Sequence, residues 1–155
     1  MAKYRQRPKG TYIEEANWEE LYRLTKLWKT DIEFYRDDSK FLHHLMDKYF
    51  IWILTKDSKK FIGALQLNLK NLDTKCRDLL VKIDKHLTQL AALVEYPDTP
   101  EGRLFRLEHA HLEEEVHDFT TFFRGNRMAV FNAVEGAVLN EKVKHLLSDI
   151  VENKV

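Results

Sequence analysis

Between Ile62 and Leu93 the chain carries a ladder whose steps alternate between three and four: Ile62, Leu65, Leu69, Leu72, Cys76, Leu79, Ile83, His86, Leu90 and Leu93. No member of the ladder is Gly or Pro, and His86 is its one polar member. A period of 3.5 keeps a single seam facing a partner helix over its whole length. The pattern therefore predicts one continuous helix from about Lys59 to Val94.

The flanking segments repeat the helical period. A first helix is expected from about Tyr12 to Leu54, with Trp18, Leu21, Leu24, Trp28, Ile32, Tyr35, Leu42, Met46 and Tyr49 on its apolar face. Glu14, Glu15, Glu19 and Glu20 fall in its first turns, where the helix dipole favours anions. Asp37-Asp38-Ser39 marks a point where it could bend or divide. Thr55 to Lys60 is short and polar and reads as a tight connection, with Asp57 or Ser58 as the next N-cap. After the ladder, Pro97 stops a helix, Thr99 suits an N-cap and Pro100 suits a first helical turn. A third helix then carries Phe105, Leu112, Val116, Phe119, Phe123, Val130, Val134 and Ala137. Asn140 is expected to separate a short last helix, Glu141 to Asn153, striped by Val143, Leu146, Leu147 and Ile150.

Three long helices joined by short turns predict an all-α fold, an elongated antiparallel three-helix bundle (up-down-up, coiled-coil-like) with a short fourth C-terminal helix. At 1.5 Å per residue such helices are on the order of 55 Å long. Residues 12–153 are expected to form a single helical-bundle domain, with residues 1–11 as a flexible basic N-terminal arm broken by Pro8 and Gly10. The run Tyr49-Phe50-Ile51-Trp52-Ile53-Leu54 is apolar all round, which one stripe does not explain. It is expected either to lie under the folded-back last helix or to form a dimer contact.

Composition narrows the function. The chain has 155 residues, 44% hydrophobic and 32% charged, with 25 basic and 25 acidic side chains and a net charge of zero. That balance suits a folded domain and gives no bulk attraction to nucleic acid or to a membrane. Cys76 is the one cysteine, which excludes an internal disulfide and points to a reducing, cytoplasmic setting. No apolar run approaches the roughly 20 residues of a membrane span. Gly-rich phosphate loops, Gly-x-Ser-x-Gly elbows and zinc-finger spacings are all missing from the sequence.

The candidate chemistry is thin. Pairing the second and third helices about the 95–100 turn sets His86 opposite His109, close to Glu108 and Leu112. A wheel centred on Leu112 places Glu108 and Glu115 beside the apolar stripe and His111 just beyond, with His109, Glu113 and His117 on a flank drifting toward water. Glu108-x-x-His111 has the spacing that di-iron bundles use to aim a carboxylate and an imidazole at one point. Asp31, His86, Glu108, His111 and Glu115 are therefore the candidate ligands for iron, manganese or zinc. A second Glu-x-x-His on another helix, which such a site needs, does not occur. The simpler alternative makes His86 a register-setting polar residue, neutral and bonded to Glu108. In the arm, Lys3, Arg5, Arg7 and Lys9 form a candidate phosphate-binding segment.

These features favour binding over catalysis: an interaction or scaffold protein whose partner is another protein or a second copy of itself. The contact residues expected for a homodimer are Phe50, Trp52 and Phe61. The alternatives are the metal-binding bundle, with an oxidase or storage role, and nucleic-acid or anionic-surface binding through the basic arm. The leading expectation includes no cofactor and no nucleic-acid partner.

Overall fold

A computed structural model describes residues 15–153. Ordered structure among them is helical: α1 spans Trp18–Lys48, α2 Phe50–Lys56, α3 Lys59–Glu95 and α4 Gly102–Asn153, with no strand among the described residues. The fold class is all-α. The basic arm, with Lys3, Arg5, Arg7 and Lys9, lies outside the described residues.

Local signals explain most of the boundaries. Asn17 opens α1 by accepting a hydrogen bond from the Glu20 N–H at 2.9 Å. Asp37 to Ser39 leaves α1 unbroken, and Ser39 is buried. The helix instead gives way at Tyr49, whose backbone sits at φ −104° and ψ 14°. The expected first helix is thus two helices, α1 and α2. Asp57 leaves α2 in an extended conformation, and Ser58 caps α3 by accepting from the Phe61 N–H at 3.1 Å. Past the 96–100 turn, the Gly102 N–H bonds the Thr99 carbonyl at 3.1 Å, and α4 begins there, not at Pro100.

The separate last helix does not form. Asn140 lies within α4, which continues unbroken for 52 residues. Asparagine costs a helix only a fraction of a kcal/mol relative to alanine, and no Pro or second capping group supports a break there.

By contact density the described chain falls into two compact units: residues 15–37 with 73–123, and residues 38–72 with 124–153. In the first unit Leu21, Trp28, Ile32, Cys76, Leu79, Ile83, Leu90, Val116 and Phe123 are buried. Trp18, Leu21, Leu90, Leu93 and Phe105 close one end of that core with Ala16. Trp18 is tied down there: its Nε1 donates to the Pro97 carbonyl at 3.2 Å, and the Arg106 guanidinium covers its ring at 4.1 Å. Arg106 also donates to the Ala16 carbonyl at 2.8 Å.

In the second unit Leu42, Met46, Ile53, Ile62, Leu65, Leu69, Leu72, Val130, Ala133 and Ala137 are buried. A β-carbon at Gly136 would meet the flexible end of the Lys56 side chain, which can swing aside. Asp38 accepts from Arg127 Nε at 3.2 Å, and the Phe41 and Phe131 rings lie 6.4 Å apart. Among the described residues no helix is long and apolar enough to cross a membrane.

Candidate functional site

Two features stand out, one in each unit. In the first, the polar rung of the α3 ladder meets a polar rung of α4. His86 is 4% exposed and His109 fully buried. His86 Nε2 lies 2.8 Å from His109 Nδ1, so one ring donates and the other accepts. Aromatic faces enclose the pair: Phe105 stacks on His86 at 4.4 Å and Trp28 of α1 stacks on His109 at 4.8 Å. Loss of water around His86 disfavours its cation and lowers its pKa to about 4.

His86 is therefore bonded to His109 rather than Glu108, and the wet flank expected for His109 and Glu113 is buried instead. The reason is a ladder in α4 that includes polar members: Phe105, His109, Leu112, Val116, Phe119, Phe123, Asn126, Val130, Ala133 and Ala137. Its steps alternate between four and three, and all ten positions are buried. Counting apolar residues alone skips His109 and Asn126 and tilts the wheel toward Glu108.

Beside this pair His86, Glu108, His111 and Glu115 line one cleft of about 490 Å³, together with Lys82 and Lys85. Asp31 does not line it. It is half-buried on α1, where loss of water raises its carboxyl above the usual value. The four residues in the cleft do not converge. His86 Nε2 is turned to His109, while Glu115 is held by Lys82 Nζ at 3.0 Å and lies 3.9 Å from His111 Nε2. Glu108 and His111 are exposed. Among the described residues no group of three or more His, Cys, Asp or Glu side chains is placed to hold a metal ion. Cys76 is buried, its Sγ 3.7 Å from the Ile32 carbonyl oxygen, and burial pushes the thiol up to about 11. It is thus protonated at neutral pH and a poor nucleophile.

The second feature is a surface. From Lys142 to Val151 every residue of α4 is exposed. Leu139, Val143, Leu146, Leu147, Ile150 and Val151 are apolar and between 52% and 65% exposed. Leu139 follows Ala137, the last rung of the buried ladder, by two residues, which is about 200° around a helix. The buried phase, continued by its alternating steps of three and four, meets Asn140, Lys144, Leu147 and Val151. Leu147 and Val151 thus keep the phase of the buried ladder, and Leu139, Val143, Leu146 and Ile150 form a second apolar seam offset from it around the helix.

Next to this stripe Trp52, 41% exposed, joins Val138, Glu141, Lys142, His145 and Leu146 around a cleft of about 520 Å³. Of the expected contact residues Trp52 alone lines it; Phe50 is half-buried and Phe61 is exposed elsewhere on the second unit. The sequence pattern suggests the terminal stripe as the inner face of a folded-back helix, and the structure places it outward. No protein-family model matches the chain, and no curated protein or solved structure does either.

Proposed function

We propose that this protein acts by binding, as a helical scaffold that docks another protein helix on the terminal face of α4 and the adjoining Trp52. The observation that carries this is the group of six large apolar side chains, between Leu139 and Val151, that one helix leaves in water. Contiguous exposed apolar surface of this kind serves as an interaction site. Leu139, Val143, Leu146 and Ile150 have the four-three-four spacing with which a helix presents a seam to another helix.

The scaffold itself is taken as an up-down-up bundle of α1, α3 and α4. Supporting this are the Trp28–His109–His86 contacts in the first unit and the Phe41–Phe131 and Asp38–Arg127 contacts in the second. Chemistry has little footing in the first unit, since the buried imidazoles His86 and His109 are bonded to each other and the Cys76 thiol is protonated. The lone cysteine agrees with a cytoplasmic setting.

The test is photo-cross-linking from a benzophenone amino acid placed at Leu147 of the full chain, in the cells that express it and with the purified protein alone. A protein adduct that disappears with Ile150→Glu supports docking on this face. No adduct in either setting overturns it.

A further inference from the structure

The exposed face of α4 has a charge pattern that selects its own copy, an inference that rests on the docking role proposed for that face. Leu139, Val143, Leu146 and Ile150 form the seam of a two-helix coil. Lys142 and Asp149 then occupy equivalent flanking positions one heptad apart, immediately before Val143 and Ile150. Both are exposed, and Lys142 lines the Trp52 cleft. Asp149 Oδ2 lies 4.0 Å from His145 Nε2.

We infer that the occupant is the same segment of a second copy of this chain, running antiparallel. In that arrangement Leu139 of one copy meets Ile150 of the other, and Val143 meets Leu146. The two-fold axis repeats both layers, which closes a symmetric interface. The same register sets Lys142 of each copy opposite Asp149 of the other, so two opposite-charge pairs form at once. The C-terminal end of one segment also reaches the Trp52 side of its neighbour, where Ile150 comes beside Leu139 and the cleft. Parallel pairing has no such match. It would set Lys142 against Leu147, a cation against an apolar side chain. Leu147 and Val151 widen the apolar stripe on the flank away from Lys142 and Asp149, and add buried area to the same contact.

The experiment is sedimentation velocity on the full chain over a concentration series, with K142D, D149K and the double variant K142D/D149K. Circular dichroism serves as the control that each remains helical. The parent is expected to pass from monomer to dimer. Each single exchange replaces two attractive contacts by two repulsive ones and weakens the dimer by about tenfold, while the double exchange restores it to within about twofold. A parent that stays monomeric overturns the inference, and so does a dimer that the double variant fails to restore. A monomeric parent that still yields the Leu147 cross-link to a different protein removes the self-pairing and leaves the docking role standing. No sedimenting dimer and no adduct removes both.

Discussion

Protonating His86 means charging an imidazole that Phe105 and His109 shield from water. Its pKa of about 4 in the folded protein lies below the ordinary value of 6.5, because burial disfavours the cation. The groups around it are the hydrogen-bonded His109 and the cleft residues Glu108, Lys82 and Lys85. A lowered folded pKa means that the unfolded chain binds the extra proton first. Stability is thus fully present above pH 6.5 and declines as pH falls from 6.5 to 4. Below that it flattens, after a loss of about 3 kcal/mol. Urea unfolding across that range checks the size and the window. His86→Leu should abolish this part of the pH dependence. At neutral pH the same variant should cost about 1–3 kcal/mol, because His109 Nδ1 loses its hydrogen bond inside the core. A variant with unchanged stability at pH 7 and an unchanged pH profile would show that the imidazole pair does not contribute.

Ser58 illustrates how much a single element boundary can carry. Its hydroxyl oxygen accepts from the Phe61 N–H, satisfying one of the donors left open at the start of α3. Ser58→Ala should cost about 1 kcal/mol, read as a fall in thermal midpoint of about 3 °C; no shift would mean that water replaces the cap without loss. This boundary, and α3 itself, are legible in the sequence because apolar spacing and capping residues agree there, and all ten rungs of the ladder are buried. The α4 helix is legible only where its rungs are apolar. His109 and Asn126 sit on the seam, but their polarity hides them from a count of hydrophobic residues. For the same reason the wheel favours Glu108 as the partner of His86. Asn140 misleads in the opposite direction: a helix-indifferent residue reads as a stop, although the helix runs through it. What changes after Ala137 is burial: Leu147 and Val151 keep the phase of the ladder yet are exposed. That depends on which side of α4 its own chain covers, and spacing within α4 does not carry this information.

For the whole molecule the governing quantity is a net charge of zero at pH 7, with a pI of about 7.1. Two copies approaching at neutral pH meet no long-range repulsion, so exposed apolar stripes are free to associate. Below that pI the chain carries a growing net positive charge. Self-association should therefore weaken between pH 7 and about 5.5 at low ionic strength. Raising salt to about 0.15 M, where charges are screened beyond roughly 8 Å, should recover most of it. The His86 effect on folding behaves differently. It arises from loss of water around a buried ring, not from distant charge, so salt should leave it in place. Light scattering and urea unfolding, each at both pH values and both salt levels, separate the two: association returns with salt and folding stability does not. If salt at pH 5.5 leaves the protein monomeric, net repulsion is not what separates the copies, and loss of folded α4 becomes the explanation. A partner of strong opposite charge would give the reverse pattern. Its binding would strengthen as the chain becomes positive and weaken as salt is added.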